Sequence, residues 1–222
     1  MGLNEKQQSG TFINILNSDG SLRKRTDETD PKAVKRDWEL ADGTKGTVYE
    51  LVYNDISGFI RDVVFFEGKY GEILKVTLQD DEDTYILNIN YTSNFAEDFM
   101  KKLPNIDISK EVTLRPFSFE DKKTKKIKRG IAINQGEESV YNYFSSYDPE
   151  TKKGEFKFDF PKPDQSEGKF SNEDWKLYFA QCRKFLKKFT VENIKPALDL
   201  LPLTDSISED VTPETAEFED EA

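Results

Sequence analysis

With 222 residues and 25.7 kDa, 36% hydrophobic and 34% charged, the chain is sized for one domain carrying solvated appendages. It has no histidine and a single cysteine, Cys182, which excludes Ser-His-Asp and Cys-His catalysis, His-ligated metals, Cys-rich zinc sites and internal disulfides. The net charge of −11 is unevenly spread: eight of the 43 acids lie from Thr204 to Ala222, where there is no base, and without them the net is −3.

Thr11-Phe-Ile-Asn-Ile-Leu16 reads as a strand running into the turn Asn17-Ser-Asp-Gly20. The polar stretch 23–37, dense in bases and acids, is expected to be a mobile loop or arm. Thr47-Val-Tyr-Glu-Leu-Val-Tyr53, entered by Asp42-Gly43, is rich in β-branched and aromatic residues and reads as a strand. Residues 1–55 are thus expected to form an N-terminal β extension and mobile loop packing on the unit that begins at Ile56.

From Ile56 the rhythm is regular. Ile56 to Phe66 is a long strand, with Gly58 where a bend or bulge would sit. After a turn at Glu67–Gly71, Glu72 to Leu78 alternates, with Leu74, Val76 and Leu78 on one face and Ile73, Lys75 and Thr77 on the other. Thr84 to Tyr91 is the third strand. A helix follows, with Asn94 and Glu97 as a capping box and Phe95, Phe99, Met100 and Leu103 as its apolar stripe, stopped by Pro104. Lys110 to Phe119 and Lys126 to Asn134 are the fourth and fifth strands, and Ser139 to Phe144 offers a sixth. Three strands, a helix and two strands is the order of an OB-fold, so residues 56–145 are expected to form a five-stranded barrel.

Residues 146–203 read as a loop, with a short strand-like Glu155 to Phe160, and then a helix capped by Ser171 and Asp174. Phe170 and Trp175 suit a hydrophobic staple. Trp175, Tyr178, Phe179, Cys182, Phe185, Leu186 and Phe189 make the apolar face of this helix, expected to pack on the barrel and to hold Cys182 as an inert thiol. Residues 204–222 have Pro213, few apolar groups and no period, and read as a disordered acidic tail. The expected fold is therefore mainly β: an OB-fold five-stranded barrel with an N-terminal β extension and a C-terminal amphipathic helix.

The ionisable groups do not converge as a catalyst requires. No Gly-Lys-Ser/Thr phosphate loop occurs, and Asp80-Asp-Glu-Asp83 reads as a solubilising turn. No enzymatic activity, cofactor or metal is expected. The opening residues lack a signal-peptide stretch and no apolar run approaches a membrane span, so a cytoplasmic protein without membrane contact is expected, as monomer or homodimer.

The strands offer binding chemistry instead. In the fourth strand, alternation sends Val112 and Leu114 one way and Arg115, Phe117 and Phe119 the other. The second set leads into Lys122, Lys123, Lys125, Lys126, Lys128 and Arg129, six cations in eight residues. Rings on which bases stack, beside cations that track phosphates, suit single-stranded nucleic acid. Phe59, Arg61, Lys69, Tyr70 and Lys75 on the first two strands and their turn extend this candidate DNA-binding set.

Gly10-Thr-Phe-Ile-Asn-Ile-Leu-Asn17, Ile56-Ser-Gly-Phe-Ile60, Lys102-Leu-Pro-Asn-Ile-Asp107, Glu111-Val-Thr-Leu-Arg-Pro-Phe117 and the acidic end Glu217-Phe-Glu-Asp-Glu-Ala222 resemble, in layout, the single-stranded DNA-binding proteins of bacteriophages. The resemblance implies an OB barrel that coats single strands in DNA replication, recombination and repair. It also implies a tail, here Glu217, Phe218, Glu219, Asp220 and Glu221, that recruits replication or recombination proteins and competes with DNA. Such tails often finish on an aromatic residue or Pro-Phe, whereas Phe218 stands four residues from this end. The alternative reading is an OB-like protein–protein adaptor or virion-associated structural protein that does not bind nucleic acid.

Overall fold

A computed structural model describes residues 10–39, 43–80, 83–148, 150, 153–164, 166 and 168–201. The acidic segment 204–222, with Glu217 to Glu221, lies outside the described residues. The fold is mainly β, with ten strands in one mixed sheet. In chain order they are β1 (Thr11–Ile15), β2 (Leu22–Arg25), β3 (Val34–Glu39), β4 (Lys45–Tyr53), β5 (Ile56–Gly68), β6 (Gly71–Gln79), β7 (Thr84–Asn90), β8 (Val112–Glu120), β9 (Ile127–Gln135) and β10 (Glu138–Ser139). Their spatial order is β10-β9-β8-β5-β6-β7-β1-β2-β4-β3. A separate hairpin pairs β11 (Ser145–Asp148) with β12 (Lys153–Phe156).

The sequence order expected of β5–β9 is present, with α1 (Asn94–Lys102) between β7 and β8. The expected barrel is not, because a run ordered β9-β8-β5-β6-β7 closes only if β7 meets β9. That edge of β7 is occupied by β1, which pairs with it in parallel from Thr11 opposite Tyr85 to Asn14 opposite Asn88. The N-terminal strands therefore continue the sheet by backbone hydrogen bonds.

Three local expectations change. The stretch 23–37 supplies most of β2 and part of β3, not a mobile loop. Its strands are held partly by ions: Arg36 donates to both carboxylate oxygens of Glu50 across the β3–β4 ladder, at 2.9 and 3.0 Å. An ion pair leaves no hydrophobic alternation to read. The bulge in β5 falls between Ile60 and Asp62, not at Gly58. Gly58 serves close approach, since a Cβ there would stand 3.0 Å from the Gln79 carbonyl oxygen. In the sixth segment, strand pairing stops at Ser139, and the Tyr143 N–H instead donates to the Lys101 carbonyl of α1.

The core lies between the inner face of the sheet and the helices. Phe95, Phe99, Met100 and Leu103 are buried as the helical stripe predicts, although the N-cap is Ser93, whose Oγ accepts from the Ala96 N–H. The second helix, α2 (Asn172–Phe189), has the expected reciprocal cap between Ser171 and Asp174, and the Phe170 and Trp175 ring centroids are 4.9 Å apart. Its second half is the more deeply covered: Cys182 and Leu186 are buried beside Phe144, Phe160 and Leu198, while in the first half Tyr178 is half-buried against the core and Phe179 is exposed. Lys187 ties α2 to Glu72 of β6 and lies over the rings of Phe65 and Tyr91. Burial beside these groups pushes the Tyr91 hydroxyl up to about 12. Among the described residues, no helix is long and apolar enough to cross a membrane.

Candidate nucleic-acid interface

Two stretches of the sheet's outward face carry the chemistry. The first is the β8–β9 hairpin. Val112, Leu114 and Pro116 are buried, and Arg115 and Phe119 are exposed on the other side of β8. Pro116 is accommodated because β8 pairs with β5 only through Leu114, so its missing N–H falls beyond that ladder. Phe117 and Phe119 stand 5.7 Å apart between ring centroids. They are not equivalent. Phe119 is 52% exposed, whereas Phe117 lies against Gly130, where a Cβ would be 2.8 Å from its ring and 2.5 Å from Asp98 Oδ2.

The β1–β2 turn also reaches this hairpin. Gly20 has φ +74°, and a Cβ on it would stand 2.7 Å from the Phe117 backbone. The turn and β8 enclose an open cleft of about 540 Å³ lined by Asp19, Ser21, Val52, Asn54, Asp55 and Arg115. Arg115 donates to Asp55 Oδ2 through Nε at 3.2 Å and a terminal nitrogen at 2.8 Å.

The lysines at the hairpin tip fall into two groups. Asp121 organises the turn by accepting from the Lys123 and Thr124 N–H groups, and it pairs with Lys128 at 2.7 Å. The Lys128 ammonium and these amide donors hold the Asp121 carboxyl well below the usual carboxylate range. Lys125, at φ 56°, pairs with Glu120 at 3.4 Å. Lys122, Lys123 and Lys126 are exposed and form no ion pair among the described residues. Arg129 pairs in register with Ser118, so alternation puts it on the face opposite Phe117 and Lys128. Its Nε is buried with no hydrogen-bond partner among the described residues.

The second stretch lies across β5, β6 and β7. Arg61, at the bulge, stands 5.0 Å over the Phe59 ring and donates to Gln79 Oε1 at 3.1 Å. Lys69 and Tyr70 occupy the turn after β5, with the ammonium 5.0 Å from the ring centroid. Lys75 stands opposite Val64 on one side and Asn88 on the other. The pairing continues this row through Asn14 of β1 to Arg23 of β2. Leu87 and Ile89 flank Asn88 in the core, so the row lies on the outward face.

Residues not singled out from sequence complete this face. Phe12 opposes Ile86, which opposes Thr77; Phe66 opposes Ile73, which opposes Asn90. Ile73, Thr77, Ile86 and Asn88 are buried although they point away from the core, so the side chains around them wall a sheltered floor. Asn14 Oδ1 and Asn88 Oδ1 are buried with no hydrogen-bond partner among the described residues. Such an oxygen costs about 1–3 kcal/mol. The sequence signal was an Asn between apolar residues in each of two strands, but only the β1–β7 pairing brings the two together.

The two stretches meet where Ser57 Oγ and Thr113 Oγ1 hydrogen-bond at 2.8 Å between β5 and β8. Phe59 and Arg115 lie two residues from this contact in opposite directions. Phe119 is six residues along β8 from Thr113, about 20 Å at strand rise. Apart from Arg129, which lies on the opposite face, the sequence-predicted residues are therefore spread along an extended path and do not share one pocket. Among the described residues, no group of three or more acids and cysteines is placed to hold a metal ion. Comparisons with protein families, with curated proteins and with solved structures find no match.

Proposed function

We propose that this chain binds single-stranded DNA without regard to sequence motif, in replication, recombination or repair of the kind served by the bacteriophage proteins it resembles. In this reading β5–β9 and α1 are an OB-type unit whose closing edge is taken by β1. The acidic segment Glu217 to Glu221 recruits replication or recombination proteins and competes with DNA for the cations. The observation that carries the proposal is the outward path itself. Phe12, Phe59 and Phe66 with Arg23, Arg61 and Lys75 lead past Arg115 to Phe119 and the unpaired lysines of the tip. Stacking contributes about 1–3 kcal/mol per base and needs no base-specific contact. The net charge of −11 opposes DNA binding as a long-range field and favours the adaptor reading. Local cations act within about a Debye length, whereas the repulsion from charges farther away than that is screened.

Fluorescence titration with oligo-dT and with duplex DNA at two salt concentrations tests the proposal. Single strands bind ahead of duplex, and log K falls with log salt at about −0.7 per phosphate contact, or roughly −2 to −4 for three to five contacts. Equal affinity for duplex, or no binding at low salt, rejects it in favour of the adaptor.

A further inference from the structure

We infer that Asn14 and Asn88 form a recognition point for a nucleobase amino group, so that the single-strand path favours cytosine over thymine at that position. This inference rests on the proposed single-strand binding and deepens it. Asn88 is 7% exposed, and its Oδ1 finds no donor among the described residues; the Oδ1 of Asn14, its direct neighbour across the parallel β1–β7 ladder, is in the same state. Both residues sit on the outward face at the middle of the row Arg23–Asn14–Asn88–Lys75. Nothing among the described residues uses these oxygens, and a buried acceptor is complemented only by a donor.

Two adjacent acceptors select their partner by chemistry. The N4 amino group of cytosine offers two hydrogens, one for each Oδ1, whereas thymine offers one N3–H flanked by two carbonyl oxygens that cannot donate to an Oδ1 acceptor. Adenine, with its N6 amino group, joins cytosine on the favoured side. The neighbours suit such a base: Phe12, 36% exposed, lies next to Asn14 on the same outward face, and Arg23 and Lys75 flank the pair. Lys75 is long and rotatable, so a base reaches the amides by displacing that side chain while the strands stay paired. The Arg23 guanidinium is meanwhile held by Ser21 and Asp19, at 2.7 and 3.0 Å, which fixes one side of the site.

Full-length protein is titrated with three fifteen-nucleotide strands: oligo-dC, oligo-dT and a strand of 2-pyrimidinone nucleotides, which are cytosines lacking the amino group. Oligo-dC is expected to bind about fivefold tighter than either of the others, the equivalent of one net hydrogen bond. Asn88→Val and Asn14→Val are each expected to abolish the difference between oligo-dC and oligo-dT, read as the ratio of the two affinities in the same variant. Equal binding of the dC and pyrimidinone strands by the wild-type chain overturns the inference while leaving the proposed function standing. A dC preference that survives both substitutions also overturns it. Failure to bind any strand rejects the proposed function as well. The pyrimidinone comparison needs no variant, so it decides even if a substitution impairs folding.

Discussion

Arg115 of β8 and Asp55, the residue before β5, are joined by two hydrogen bonds at 3.2 and 2.8 Å, with side chains 62% and 39% exposed. The carboxylate occupies the guanidinium where a phosphate would have to go. An exposed pair of this kind contributes about 0.2–1 kcal/mol, so exchanging it for a phosphate is a small barrier. Asp55→Asn is expected to tighten single-strand binding about two- to fivefold and to steepen the salt slope by about 0.7. Titration of the variant at two salt concentrations checks this. Unchanged affinity would place Arg115 off the DNA path.

Phe119→Ala is expected to cost about 1–3 kcal/mol of binding with little change in melting temperature, because an exposed ring contributes little to the core. Phe117→Ala is expected to lower both quantities, since that ring also packs against Gly130. A melting curve beside each titration separates the two residues. Wild-type affinity in Phe119→Ala would end its assignment as a stacking platform.

Replacing Lys122, Lys123 and Lys126 together by Gln is expected to reduce the salt slope by about 2, at about 0.7 for each lost contact. Lys125 and Lys128 already neutralise Glu120 and Asp121. Their replacement by Gln is expected to reduce the slope less per residue. Equal effects per lysine would show that the ion pairs seen in the free protein dissolve on binding at no cost.

Truncation after Leu203 removes eight acids and no base. Tethered carboxylates compete with phosphates at high effective concentration, so the shortened chain is expected to bind single strands more tightly at low salt. The gain shrinks toward physiological ionic strength, where the Debye length is about 8 Å. The melting temperature is expected to hold, because the buried apolar core runs from Ile13 to Leu198 among the described residues. Pull-down of replication or recombination proteins is expected to be lost with the segment. Unaltered binding at low salt would remove competition from the account of the acidic end.

The sequence alone determined features that depend on neighbours along the chain. Alternation at Val112, Leu114, Arg115 and Phe119 fixed which side of β8 faces the core, because successive strand residues point to opposite faces. The stripe at Phe95, Phe99, Met100 and Leu103 and the Ser171–Asp174 cap declared their helices for the same local reason. Tertiary structure decided what depends on partners far apart in the chain. That β1 would take the free edge of β7 could not be read, since backbone hydrogen bonds form the ladder and carry no residue signature. With that one pairing the barrel stays open, and Asn14 is brought beside Asn88, 74 positions away in the chain. The strands within 23–37 were hidden for a related reason: Arg36 and Glu50 hold β3 to β4 by charge, so pairing leaves no hydrophobic period to detect. Local periodicity records which face of a strand is buried; only the assembled sheet determines which strands share that face.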